Sequence, residues 1–110
     1  MGSLDVYERC RNTPPDNRRF WEDIFGDIEA IPGSQEDVYA LTEQMIASGR
    51  PIPKLYLSCG TEDRLLPASR RMRDLLAEKN IPFEYREAPG NHNWEFWDVE
   101  LERVMEYFFK

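Results

Sequence analysis

This sequence has one histidine and two cysteines among its 110 residues, and it contains no Gly-x-Ser-x-Gly. Each scarcity removes a class of function. Cys10 and Cys59 are too few for a disulfide framework and far from any C-x-x-C spacing. Together with a single histidine they also fall short of a structural zinc site, which takes about four ligands of these types. No metal and no cofactor is expected. Positive charge is short as well: 14 Lys and Arg against 21 Asp and Glu leave a net charge of −7. That balance excludes nucleic acid as the expected partner, because phosphate binding rests on clustered cations. Where cations do gather, at Arg70, Arg71 and Arg73, Asp74 and Glu78 interleave with them as on a solvated helix face. No apolar run approaches the roughly 20 residues that span a membrane. The start, Met1-Gly2-Ser3-Leu4-Asp5, lacks the basic-then-apolar layout of a secretory signal. A cytoplasmic protein is expected.

Residues 1 to 16 show little periodicity and end in the breaker Thr13-Pro14-Pro15-Asp16. Arg18 to Phe25 then places Phe20, Trp21, Ile24 and Phe25 on one side of a short helix that Gly26 can stop. After the turn Ile31-Pro32-Gly33, Ser34 is expected to cap a helix with the stripe Val38, Leu41, Met45 and Ile46, closed by Gly49. Pro51 and Pro53 prevent its continuation. Lys54 to Cys59 reads as a buried strand, and Pro67 to Lys79 as a helix turning Met72, Leu75 and Leu76 to the core. Phe83 to Ala88 alternates as a half-exposed strand. From about Trp97 the stripe Trp97, Leu101, Val104, Met105 and Phe108 predicts an amphipathic terminal helix.

Strand, helix, strand, helix over residues 54–110 implies a parallel crossover unit and an α/β fold. Two parallel strands make a poor domain alone, since such sheets are normally covered on both faces and extended by further strands. The pattern therefore looks like the last part of a larger sheet.

In open α/β sheets functional groups gather at the carboxyl ends of the strands. Asp63 lies just beyond the first predicted strand, in Gly60-Thr61-Glu62-Asp63. His92 lies just beyond the second, in Gly90-Asn91-His92-Asn93-Trp94. Adjacent parallel strands would bring both side chains to one sheet edge, where a carboxylate can orient an imidazole whose other nitrogen takes a proton from a hydroxyl. The order Asp then His is that of α/β-hydrolases, whose serine comes first. Plainer roles stay open: such an Asp is often a turn residue, and a His among aromatics can simply be packed. Glu62 is a rival for the acid. Cys59 is a candidate nucleophile with no adjacent cation to lower its pKa. Trp94 and Trp97 fit core packing, with Trp94 also suited to lining an acyl pocket.

Three segments, Phe20-Trp21-Glu22-Asp23-Ile24-Phe25-Gly26, Leu55 through Asp63, and Gly90-Asn91-His92-Asn93-Trp94-Glu95-Phe96-Trp97, carry a resemblance. From about Phe20 onward the chain resembles the C-terminal portion of the esterase D-like family of α/β-hydrolases. Within it the chain is most similar to tributyrin esterases, relatives of S-formylglutathione hydrolases and of feruloyl and acetyl-xylan esterases. The resemblance implies one partial α/β-hydrolase domain over 1–110. Residues 1–53 would be a connecting, lid-like helical region, and residues 54–110 would carry the Asp and His loops. It implies that Asp63 and His92 correspond to the acid and base of a Ser-His-Asp triad. The serine, its elbow and the oxyanion-hole amides would lie upstream of residue 1, and Gly2 to Asp5 resembles the end of the strand after that elbow. The serines present (Ser3, Ser34, Ser48, Ser58 and Ser69) sit in no such elbow. The expected function is therefore part of a serine carboxylesterase acting on short-chain acyl or acetyl esters, without turnover by itself. Its partners would be an ester substrate and either the missing N-terminal part or a second copy. The competing expectation is a non-enzymatic association module that pairs through its exposed sheet edge.

Overall fold

Local chemistry sets where each element begins and stops. The computed structural model of the chain describes residues 3–109, which fall into two units, Ser3–Pro51 and the described part of Ile52–Lys110.

In the first unit, helices α1 (Val6–Arg11), α2 (Arg18–Phe25) and α3 (Val38–Ala47) are joined by two single 3₁₀ turns. Helix α1 lies where the sequence shows no periodicity. Asp5 caps it by accepting the Glu8 N–H, and Val6, Tyr7 and Cys10 contribute to a small core with Ile28, Ile31, Trp21 and Phe25. The suggested strand end at residues 2–5 falls partly outside the described residues, and residues 3–5 lead into α1. Helix α2 has the expected bounds and stops at Gly26, whose φ of 73° suits glycine. Only Trp21 and Phe25 of its stripe pack on the core, while Phe20 and Ile24 stay 60% and 54% exposed. Helix α3 starts later than Ser34 implied. Asp37 is the cap, accepting the Ala40 N–H, while the Ser34 hydroxyl closes the turn before it, accepting the Glu36 N–H and donating to the Ile31 carbonyl. Tyr39 is the buried residue of α3, and Leu41 is exposed.

The second unit runs β1 (Tyr56–Gly60), α4 (Leu66–Glu78), β2 (Glu84–Ala88) and α5 (Trp94–Phe109). The strands pair in parallel, Tyr56 opposite Glu84 through Gly60 opposite Ala88. Among the described residues they pair only with each other. Alternation along the strands then sends neighbours to opposite faces. Tyr85 and Glu87 meet α4: Arg70 grips Glu87 at 2.7 and 3.0 Å, and the Arg73 guanidinium lies over the Tyr85 ring. Tyr56 and Arg86 meet α5 at Glu100, with bonds of 3.3 and 2.8 Å. The two helices therefore cover the two faces. Met72 and Leu76 of α4 are buried as expected.

Helix α5 differs from expectation in start and rotation. It begins at Trp94 because the Asn93 side chain accepts the Phe96 N–H. Its buried residues are Phe96 and Glu100, whereas Leu101, Met105 and Phe108 are exposed. The cause is Glu100, whose carboxylate is buried and held by Arg86 and Tyr56. An ionised group taken from water needs such partners, so their position fixes which side of the helix faces the sheet. Among the described residues no helix is long and apolar enough to cross a membrane.

The cluster on the α4 face gives the unit a defined pH dependence. Arg70 first, then Tyr85, hold the Glu87 carboxyl at about 2, against an ordinary 4.5. Burial first, then the Glu87 bond, pushes Tyr85 up to about 12 from 10.0. A lowered carboxyl pKa means stability present above about 4.5 and lost as pH falls toward 2; the raised phenol loses its contribution as pH climbs from 10 toward 12. Urea unfolding across pH 2–5 should show this acid loss in the native chain and a flatter profile in Glu87→Gln. Equal profiles would contradict the assignment.

Candidate active site

Two glycines let the loops after β1 and β2 touch. A Cβ on Gly60 would overlap the carbonyl group of Gly90, and one on Gly90 would press on the Phe96 ring at 2.7 Å. Gly90 also has φ +145°, a conformation that side chains rarely adopt. Hydrogen bonds then tie the loops together. The Thr61 N–H donates to the Ala88 carbonyl at 2.9 Å and the Glu62 N–H to the Gly90 carbonyl at 3.0 Å. The Glu62 carboxylate accepts the Gly90 N–H at 2.7 Å and the Thr61 hydroxyl at 2.7 Å. Those bonds, the Gly90 one foremost, hold its carboxyl below the usual range. Glu62 is therefore occupied in clasping the histidine loop, which separates it from the acid role for which it was a rival.

Asp63 and His92 come together on this frame. Asp63 Oδ2 lies 2.9 Å from His92 Nδ1, while Oδ1 accepts the Leu65 N–H at 2.9 Å. The Asp63 side chain is 5% exposed and that of His92 32%. The carboxylate is thus fixed from the protein side and the imidazole reaches toward solvent. A carboxylate only accepts, so the bridging proton belongs to Nδ1 and a neutral ring presents Nε2 as an acceptor. Nε2 has no hydrogen-bond partner among the described residues. On the backbone side, the His92 N–H donates to the Asn91 side chain at 2.8 Å. This arrangement can take a proton from a hydroxyl placed at Nε2 and return it elsewhere.

The aromatic neighbours divide differently from expectation. Trp97 is half-buried and meets the His92 ring nearly perpendicularly, centroids 4.8 Å apart. Trp94 packs against Trp97 at 5.2 Å but is 69% exposed, so it is not the core residue it was expected to be. Its place at the first turn of α5, set by the Asn93 cap, turns it outward. Cys59 is buried beside Asp63, and burial pushes its thiol up, the opposite of what a nucleophile needs. Ser58 lies in β1, Ser69 in α4 and Ser48 at the end of α3. The Glu62 clasp is not legible in the sequence; the glycine at the head of each loop is the signal that could have suggested a close approach.

No family model matches the sequence. It is 31% identical to an acetyl esterase of Caldicellulosiruptor saccharolyticus over a 116-residue alignment that takes in all of this chain and 44% of that protein. Among solved structures, it is similar to the apoenzyme of S-formylglutathione hydrolase (FrmB) from Staphylococcus aureus. There the TM-score is 0.79 at 25% identity, over 94% of this chain and 40% of the other. FphF, a fluorophosphonate-binding serine hydrolase of the same organism in substrate-bound form, gives a TM-score of 0.80 at 24% identity, covering 96% and 40%. This chain is part of an α/β-hydrolase fold. It spans less than half the length of the relatives it matches, and the resemblance to an esterase-like α/β-hydrolase seen in its motifs holds across nearly the whole chain. Two strands with helices on both faces are a portion of that fold's larger sheet.

The close approach at Gly60 yields a direct test. Gly60→Ala should force the two loops of this α/β-hydrolase portion apart and cost roughly 1–3 kcal/mol, the usual range for overpacking a filled site. Urea unfolding gives the loss, and amide shifts should change most at residues 61–63 and 90–92. Unchanged stability with unchanged loop shifts would contradict the contact.

Proposed function

We propose that this chain supplies the acid and base of a serine carboxylesterase acting on short-chain acyl or acetyl esters. The observation that carries the reading is the 2.9 Å contact of Asp63 with His92 Nδ1, which leaves Nε2 available beside two strand ends. The esterase and serine-hydrolase relatives support the reaction class. In the complete site a serine outside this sequence attacks the ester carbonyl carbon. His92 Nε2 takes the hydroxyl proton as the carbon–oxygen bond forms. When the tetrahedral intermediate collapses, the same proton goes to the departing alcohol, leaving an acyl-serine. Water then repeats the cycle: His92 accepts its proton, the acid departs, and the proton returns to the serine oxygen. Asp63 keeps the proton on Nδ1 and steadies the imidazolium formed in each half. A cytoplasmic setting belongs to the same proposal. Alone, the chain has no triad-dependent turnover, because the nucleophile and the oxyanion donors provide most of the rate acceleration in such a site.

A second reading has its own observation. The strands present unpaired outer edges among the described residues, and such edges invite a further strand from another copy or chain. The association and the esterase readings are compatible and separate on His92.

Placing this chain in the matching segment of the similar acetyl esterase, as a hybrid, tests both. Hydrolysis of p-nitrophenyl acetate should appear in the hybrid and be absent from the chain alone. His92→Ala should lower kcat by at least ~10³-fold and Asp63→Asn by about 10²–10⁴-fold, as for triad members elsewhere. Size-exclusion profiles of the isolated chain should not change on His92→Ala. Activity that survives His92→Ala, or an oligomer that depends on His92, would overturn the catalytic assignment.

A further inference from the structure

We infer that Trp97 is a positioning residue that fixes the plane of the His92 imidazole; the inference deepens the esterase reading and rests on it for its meaning in catalysis. A single hydrogen bond from Nδ1 to Asp63 holds one atom of the ring at 2.9 Å. Together with the Cβ–Cγ bond, that contact still allows a coupled rocking about χ1 and χ2, which tilts the ring plane and carries Nε2 through an arc. A further contact on the ring is needed to stop that tilt. Trp97 supplies it, with its ring at 89° to the imidazole and centroids 4.8 Å apart. This lies within the favoured range for edge-to-face aromatic pairs.

Trp97 is itself held. It follows Asn93 by one helical turn and donates its backbone N–H to the Asn93 carbonyl at 3.1 Å, so the cap that starts α5 also sets its height. Trp94 packs against it at 5.2 Å and 84°. The order Asn91, His92, Asn93, Trp94, Trp97 thus works as one device. Asn91 holds the His92 backbone, Asn93 starts the helix, and the helix returns an indole to the His92 ring. Asp63 decides which nitrogen carries the proton, and Trp97 decides where the other nitrogen points.

The interaction free energy of such a pair corresponds to about a 2- to 10-fold bias in ring orientation. The single histidine makes the readout unambiguous. In the full 110-residue chain, ¹³C relaxation at His92 Cε1 and Cδ2 should report a ring as rigid as the backbone. Trp97→Leu should make the ring mobile on the picosecond–nanosecond scale, and Trp97→Phe should restore it. In the hybrid esterase, Trp97→Leu should lower kcat about 2- to 10-fold with KM unchanged, and Trp97→Phe should recover most of that loss. A mobile ring in the unsubstituted chain would overturn the inference, and that measurement stands even where Trp97→Leu does not fold. A ring equally rigid in folded Trp97→Leu would overturn it too. A rigid, Trp97-dependent ring in an inactive hybrid would sink the esterase reading and leave the positioning role intact.

Discussion

The backbone of Gly60 rests against the carbonyl of Gly90, and the rest of the site depends on that closeness. Neither loop carries its functional residue within reach of the other unless the two main chains touch. Once they do, Glu62 and Gly90 bond in both directions, the Gly90 N–H donating to the Glu62 carboxylate and the Glu62 N–H to the Gly90 carbonyl. These bonds leave little freedom in the relative height of the loops. Asp63 and His92, one and two residues further along, inherit their separation from it. The pair is therefore a product of glycine at two positions and a glutamate between them, as much as of its own chemistry.

The same logic runs through the second unit. Strand alternation sends Tyr85 and Glu87 to the α4 arginines, and Tyr56 and Arg86 to Glu100 on α5. Each helix is thus tied to its own face of the sheet by an ion pair as well as by apolar packing. The Glu100 pair has the larger consequence, because it rotates α5 and leaves Leu101, Met105 and Phe108 exposed. With α5 so rotated, Trp97 falls beside His92. The helix is at once a cover for the sheet and a support for the imidazole.

Much of this is legible in the sequence, and the departures share a cause. Helix α2 can be read residue by residue, since its periodicity and its terminal glycine are both local. Both strands, helix α4 and the meeting of Asp63 with His92 follow from run length, breakers and the strand-end rule for parallel sheets. The α3 cap is ambiguous because Ser34 and Asp37 are both good caps, and only the turn that Ser34 closes with Ile31 and Glu36 separates them. The α5 stripe misleads because a charged residue lies on its buried face, held by partners on two strands far away in sequence. Helix α1 has too few apolar residues to show a period. Glu62 resembles an acid for catalysis because its partner, a backbone N–H 28 residues on, leaves no mark in composition.

The account's central claim is that Asp63 keeps a proton on His92 Nδ1 and leaves Nε2 to accept one. A ¹⁵N–¹H long-range correlation spectrum of the chain at neutral pH, with its one imidazole labelled, reads the tautomer directly. The account predicts a protonated Nδ1 and an unprotonated Nε2, with that preference lost in Asp63→Asn. A neutral ring protonated at Nε2, or a tautomer indifferent to Asp63→Asn, would contradict it.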